Sequence, residues 1–267
     1  MARGFFCPDP SQQFRKSRTR CRRCINLRHT EDNGPNTSCN APSFNPQILI
    51  MRPTEDTYRH KGLRKALVEQ VRSKGITDES VLDAILAVPR HFFLDSAFDN
   101  VAYEDRAFPI AEGQTISHPY TVAYQTQLLQ VKPFMRVLEI GTGSAFQACV
   151  LAEMKAMVFS IERQKQLFED NRNFPFLRNY PSLRLFFGDG FQGLPTYGPF
   201  DRVLVTAGAP NIPEKLVEQL KSGGMMVIPV NDGEAQRMMR VTKRTDGTLD
   251  EERFDTFHFV PMLEGKR

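Results

Sequence analysis

Ten residues, Arg136-Val-Leu-Glu-Ile-Gly-Thr-Gly-Ser-Ala145, pass from a short apolar run through two glycines into a segment of helical pattern. The run predicts a strand ending at the carboxyl edge of a parallel sheet, where Gly141 and Gly143 let the backbone bend sharply and lie against a ligand that any Cβ would obstruct. A second apolar run, Met157-Val-Phe-Ser-Ile-Glu162, ends on an acidic residue 21 positions beyond Gly141. A carboxylate at that strand end reaches the same edge and can accept hydrogen bonds from both hydroxyls of a ribose. Together the two runs are the sequence form of a site for an adenosine-containing cofactor.

One departure narrows the cofactor. A dinucleotide turn, G-x-G-x-x-G, needs Gly or Ala at its sixth position so that the following helix packs closely on the strand with its N-terminus at a pyrophosphate. Phe146 stands there, and its ring argues against NAD and FAD. The pattern that fits is acidic-x-Gly-x-Gly, with Glu139, Gly141 and Gly143, which resembles the first motif of Rossmann-like S-adenosylmethionine methyltransferases. That family's usual form has a third glycine where this chain has Ala145, a mild change.

A chain of 267 residues accommodates one large α/β domain with appendages, since single cores stop growing near ~250–300 residues. No apolar run reaches the ~18 residues of a membrane span. The net charge of +4 is uneven: residues 1–50 hold 8 Lys and Arg against 3 Asp and Glu, and the rest is close to neutral. A polyanionic partner favours a basic face on the folded part, so nucleic acid is not expected. Four of the five cysteines (Cys7, Cys21, Cys24 and Cys39) lie in the same leader. Cys21 and Cys24 form a lone C-x-x-C without the second pair that a structural zinc needs. No metal is expected. The leader lacks helical or strand periodicity and a signal-peptide apolar core, so residues 1–52 read as a disordered extension, with Met51 an alternative initiator. The body, with one cysteine and no export signal, is expected in the cytoplasm as a monomer.

From residue 53 onward the pattern is that of a single domain. Two amphipathic helices are predicted between Tyr58 and Val88, divided at Gly75 and ended by Pro89. Residues 90–120 read as a long aromatic-rich loop, and Val122 to Leu129 as a helix closing the N-terminal helical segment 56–130. Strands at 136–140, 157–162, 183–187, 200–206 and 225–230 then alternate with helices at 145–155, 163–172 and 213–221. That order implies a mostly parallel sheet with helices on both faces. Gln236 to Lys243 and Glu251 to Val260 flank Thr245-Asp-Gly-Thr248, the signal of an antiparallel C-terminal hairpin.

Six ordered segments carry a closer likeness: Val88-Pro-Arg-His-Phe92, Ala102-Tyr-Glu-Asp105, Pro109-Ile-Ala-Glu-Gly-Gln-Thr-Ile-Ser-His-Pro-Tyr120, Leu138-Glu-Ile-Gly-Thr-Gly143, Gly188-Asp-Gly190 and Phe257-His-Phe-Val-Pro261. Together they resemble the successive signatures of protein-L-isoaspartate O-methyltransferases, over almost everything from residue 55 onward. The resemblance implies a class I Rossmann-like fold, S-adenosylmethionine as methyl donor, and isoaspartyl-containing peptides and proteins as substrates. It further implies methyl transfer to the free α-carboxylate, the step that starts repair through a succinimide. It gives Ser117 as the active-site serine, orienting the carboxylate, and sets Pro119, Tyr120, Thr121 and Val122 beside the cofactor. Glu162 would hold the ribose, Asp189 and Gly190 the adenine, and Glu139 the amino end of the cofactor.

The residues suit that chemistry. A peptide α-carboxyl has a pKa of roughly 3.3–3.7, so the nucleophile arrives ionised and no general base is required. None is evident, since His60, His91, His118 and His258 are scattered and show no triad context. After the strand ending at Val205, Thr206-Ala-Gly-Ala-Pro210 lacks the Asp/Asn-Pro-Pro-aromatic clamp of amino- and base-methylating relatives. Cys149 lies on the apolar side of a predicted helix and reads as core. Two alternatives stay open at this level: a methyltransferase acting on a different nucleophile, and a cofactor-binding module without turnover.

Overall fold

The computed structural model describes residues 52–267, so the expectations for the basic leader, its cysteines and Met51 lie outside the described residues. The first described helix, α1 (Tyr58–Ser73), is opened by a capping box: Thr57 Oγ1 accepts the His60 N–H, and His60 Nδ1 accepts the Thr57 N–H. Each contact satisfies a backbone donor that the first turn leaves unpaired. Helix α1 stops before Gly75, whose φ of +98° suits a residue without a Cβ. Asp78 then caps α2 (Glu79–Ala87) by accepting the Ser80 N–H.

Residues 90–120, read from sequence as an unstructured loop, are more ordered than that. They hold short 3-10 turns and a small antiparallel pair, β1 (Phe108–Pro109) with β2 (Thr115–Ile116). Helix α3 (Pro119–Leu129) starts three residues earlier than the apolar pattern alone suggests, with Pro at its first position, where the missing N–H costs nothing.

The alternating region follows expectation closely: β3 (Arg136–Ile140), α4 (Phe146–Glu153), β4 (Met157–Glu162), α5 (Lys165–Arg172), β5 (Leu183–Phe187), β6 (Phe200–Val205) and α6 (Glu214–Glu218). The predicted strand at 225–230 is part of a much longer β7 (Leu220–Asp232), which turns at Gly233 into β8 (Ala235–Lys243) and then β9 (Leu249–Phe257). A second hairpin therefore precedes the predicted one. The seven strands run in the order β5-β4-β3-β6-β7-β8-β9; the first four neighbour pairs are parallel and the last two antiparallel.

This order fixes the site. From β3 the chain steps outward to β4 and β5, then returns to β6 on the opposite flank of β3. The crossover helices leave in opposite directions there and open a crevice at the carboxyl ends of β3 and β6. Thr206 N–H bonds the Ile140 carbonyl across that switch point at 3.0 Å. Helix α4 is buried from Phe146 to Ala152, because α2 covers the side it turns away from the sheet. Cys149 lies within it with no solvent exposure, and burial pushes its thiol well above the ordinary range. It is a core residue, as expected.

His60 and His91 stack at 3.9 Å between centroids beneath the N-terminal helices. His60 Nδ1 accepts the Thr57 N–H while Nε2 faces Asp99, and His91 Nε2 faces the Glu55 carbonyl while Nδ1 faces the Tyr103 hydroxyl. Asp56 lies close to both rings, but Arg64 engages both of its carboxylate oxygens. Burial holds the His91 pKa below the free value of 6.5, so the unfolded chain binds this proton more readily than the folded one. Its contribution to stability is then complete above pH ~6.5 and declines as pH falls through the folded value. Thermal unfolding from pH 7.5 to 5.5 is expected to show a falling midpoint, and a smaller fall in His91→Asn. An equal fall in both proteins would remove His91 as the cause.

Candidate active site

The glycine turn joins β3 to α4 with two residues at positive φ, Gly141 at +95° and Gly143 at +52°. At Gly141 a Cβ would stand 2.6 Å from Thr206 Oγ1, the hydroxyl that donates to the Ile140 and Gly141 carbonyls and ties the turn to β6. Only glycine satisfies both that conformation and that approach. Ala145, where the resemblance lacks a third glycine, takes φ +70° without a side-chain cap. The next turn of α4 packs the Phe146 ring edge-on against Phe93 at 5.4 Å. A phenylalanine at the sixth position thus fills the space between α4 and the N-terminal segment.

Glu162 ends β4 facing the turn and is 5% exposed. Its Oε2 accepts the Gly143 N–H at 2.9 Å and its Oε1 the Gln164 N–H at 2.8 Å. One carboxylate therefore bonds the turn and the start of α5 together. Burial raises its pKa, while the Gln164 and Gly143 amides oppose that shift. Glu139 lies behind the turn, fully buried, with Oε2 accepting from Ser160 Oγ, which also contacts Thr142 Oγ1 at 2.6 Å. Burial pushes Glu139 up to about 8, so it is mostly protonated at neutral pH and spares Glu162 a second negative charge nearby.

A cleft of about 900 Å³ opens over this turn, walled by Val122, Gly141, Gly143, Glu162 and Gly190 among others. Gly190 is needed there, since a Cβ would meet Ile140 Cγ2 at 2.5 Å. Asp189 is half-buried beside it and uses Oδ1 to accept the Phe191 N–H at 2.9 Å. Pro119, Tyr120 and Thr121, the first turn of α3, do not line this cleft. The Tyr120 ring packs toward Tyr124 and Phe257 instead, and Thr121 faces a smaller adjoining cleft of about 320 Å³. Glu139 is excluded from the main wall because Ser160 and Thr142 lie between. Ser117 borders both clefts, together with Thr115, Thr206 and Val260.

Sequence reasoning missed several wall residues. Gln125, Ser144, Gln147, Arg163, Gln164 and Leu263 all face the main cleft, and Gln147 Oε1 and Gln164 Oε1 are buried acceptors without a partner among the described residues. Unpaired acceptors at a cavity wall suit a ligand rich in hydroxyl and amino groups. Arg163 and Gln164 were within reach, since they follow Glu162 directly, and Ser144 lies in the glycine-turn segment itself; Gln125, Gln147 and Leu263 carry no motif. The C-terminal wall is set by backbone pairing: Gly208 N–H donates to the Val260 carbonyl and Met262 N–H to the Gly208 carbonyl, each at 2.8 Å. His258, given no role from sequence, borders the smaller cleft beside His118.

A parallel sheet with its crevice at a switch point, a two-glycine turn without a pyrophosphate-binding third glycine, and an acidic strand end holding that turn together define the class of Rossmann-like S-adenosylmethionine methyltransferases. Comparison with known proteins narrows it. A model of the family "Protein-L-isoaspartate(D-aspartate) O-methyltransferase (PCMT)" matches residues 62–267, and the chain belongs to this family. A protein-L-isoaspartate O-methyltransferase of Cytophaga hutchinsonii is 54% identical over 209 residues, covering 78% of this chain and 94% of its own. One from Christiangramia forsetii is 50% identical over 212 residues, covering 79% and 99%. Among solved structures, a protein-L-isoaspartate O-methyltransferase superposes with a TM-score of 0.68 at 27% identity, covering 74% of this chain and 65% of that one. A Plasmodium falciparum relative in complex with S-adenosyl-L-homocysteine gives 0.66 at 26% identity, covering 75% and 98%. Among the described residues no helix is long and apolar enough to cross a membrane.

Proposed function

We infer that this chain transfers a methyl group from S-adenosyl-L-methionine to the free α-carboxylate of L-isoaspartyl residues in damaged peptides and proteins. The observation that carries the reading is Ser117 at the junction of two clefts, one built for the donor and one narrow enough for a carboxylate-bearing branch. When bound, the donor supplies an electrophilic methyl on a sulfonium: as the new O–CH3 bond forms, the S–CH3 bond breaks with its electron pair to sulfur.

The chain's own residues bind, orient and exclude water. Gly141 and Gly143 present backbone to the donor, with Val122 packed opposite. Glu162 offers its carboxylate oxygens to the ribose hydroxyls while its two amide contacts hold it in place. Gly190 and Asp189 lie toward the adenine end, and Pro119, Tyr120 and Thr121 support the wall through α3. Glu139 acts from behind the turn. Ser117 donates to one carboxylate oxygen so that the other is in line with the methyl. Proximity and orientation of this kind can supply up to ~7–11 kcal/mol, and water exclusion strengthens the attraction between carboxylate and sulfonium. A base is unnecessary. The small residues of Thr206-Ala-Gly-Ala-Pro210 let the chain's own Val260–Met262 segment pair with Gly208 at the cleft edge. Residues 53–267 are the catalytic unit.

The test pairs an isoaspartyl peptide with its aspartyl twin. With S-adenosylmethionine present, methanol release and methyl ester formation are expected on the isoaspartyl peptide alone. Transfer to neither peptide, with the donor bound, would favour a binding module.

A further inference from the structure

Arg90 is among the largest fully buried side chains of the described residues, 1% exposed, and the mechanism above leaves it without a role. Its guanidinium makes no hydrogen bond to a carboxylate. Nη2 donates to the carbonyls of Ser117 at 2.8 Å and Arg106 at 3.2 Å, Nε donates to the Ala102 carbonyl at 3.1 Å, and Nη1 has no partner among the described residues. Its flat side lies over the Phe146 ring, 5.1 Å from the centroid. The adjacent acid, Asp105, is occupied elsewhere: Oδ1 accepts the Tyr120 N–H at 2.8 Å and Oδ2 pairs with Lys74 Nζ at 2.5 Å. Arg90 and Asp105 thus clamp the two ends of the 117–120 turn, one by the Ser117 carbonyl and the other by the Tyr120 amide.

Around that turn stand Arg90 and Lys74, both cationic, and Asp105 and Asp255, both anionic. Lys74 and Asp255 are exposed, whereas Arg90 is buried and makes no hydrogen bond to a carboxylate among the described residues. Burial draws Arg90 down to about 9, which leaves it charged at neutral pH. Burying a cation without an anionic partner is unfavourable unless an opposite charge arrives. The narrow cleft at Ser117 has no acid among the described residues of its wall, and its His118 is held below the ordinary imidazole pKa first by burial and also by the nearby Arg90 and Lys74 charges, against Asp105.

We propose that Arg90 is a positioning and charge-complementing residue for the transfer: it fixes Ser117 through its carbonyl and leaves the 117–120 turn with a positive charge that the substrate carboxylate neutralises. This deepens the reading given under Proposed function and rests on it. Methylation removes the carboxylate's charge, so the same turn holds the substrate more tightly than the ester, which favours product release. A lysine cannot replace Arg90 in full, because a point charge cannot fork to three carbonyls.

The test compares wild type, Arg90→Met and Arg90→Lys in steady-state kinetics and in binding of two inhibitory peptides, one with an isoaspartyl α-carboxylate and one with the α-carboxamide. In Arg90→Met, KM for the isoaspartyl peptide is expected to rise on the order of 10-fold or more, affinity for S-adenosylhomocysteine to stay within about 2-fold of wild type, and the preference for carboxylate over carboxamide to shrink. Arg90→Lys is expected to lose kcat yet keep that preference. Equal losses for both peptides in Arg90→Met would reduce Arg90 to a structural role and overturn the proposal. If Arg90→Met does not fold, loss of the preference in Arg90→Lys overturns it equally. Wild-type protein that methylates no isoaspartyl peptide would instead overturn the underlying function.

Discussion

Glu162→Ala is expected to weaken binding of S-adenosylhomocysteine on the order of 10–100-fold, because the carboxylate's hydrogen bonds are charge-assisted and worth roughly 1.5–3 kcal/mol each. The carboxylate is buried and bonds the Gly143 and Gln164 amides, so its removal also leaves two amide donors unpaired and loosens the turn that faces the donor. Glu162→Gln is not a mild control: it offers one acceptor oxygen to two N–H donors and turns an NH2 toward the other. Both variants are expected to lose affinity, Ala more than Gln, in calorimetric titration. Unchanged affinity in Glu162→Ala would detach this residue from the cofactor.

Ser117→Ala divides the effects the other way. Turnover is expected to fall on the order of 10-fold, the loss of one hydrogen bond to a charged group, while cofactor affinity stays within about 2-fold. The separation follows from where the residue stands. Its carbonyl is tied to Arg90, so the backbone keeps its place when the hydroxyl is removed, and Glu162 on the far side of the turn is untouched. Above pH ~5 the substrate carboxylate is fully ionised, so the defect should not be relieved by raising pH, as it would be if Ser117 needed a base. Loss of donor binding equal to that of Glu162→Ala would put Ser117 in the wrong half of the site.

Much of this was legible from residues alone because the relevant constraints are local. The bend after Ile140 demands residues without a Cβ, and Gly141 shows why: positive φ and a hydroxyl 2.6 Å from any added carbon. Apolar runs ending in Glu162 and in Gly188-Asp-Gly190 announce strand ends, and both reach the same edge. Phe146 spoke against a dinucleotide, and its ring fills the space between α4 and the N-terminal segment. The start of the long β7 escaped because Leu220 and Lys221 fell within the helix predicted at 213–221, and Ser222 to Gly224, with its glycine pair, fell in the gap before the strand predicted at 225–230. It is held in the sheet by pairing with β6 at Phe200 and Leu220.

The site's composition was less legible where it depends on which distant segments meet. Val260 to Leu263 reach the cleft because the Gly208 N–H bonds the Val260 carbonyl and the Met262 N–H bonds the Gly208 carbonyl, and no spacing in the chain encodes that. Pro119 to Thr121 carry a family signature, yet helix α3 turns Val122 and Gln125, and none of these three, into the main wall. Arg90 sits in a recognisable motif, Val88-Pro-Arg-His-Phe92, but its lack of a carboxylate partner is visible only with Asp105 placed and already engaged by Lys74.

The amino-acid sequence by itself determined the strand order's alternation, the glycine turn, the acidic strand end and hence the kind of donor, since each is set by backbone geometry within a few neighbouring residues. Tertiary structure alone decided which carboxylates are free, which amides they hold and where a buried charge lies without a carboxylate bonded to it. Burial and pairing depend on residues far apart in the chain, and the energy of a charge is fixed by those neighbours, not by its own identity.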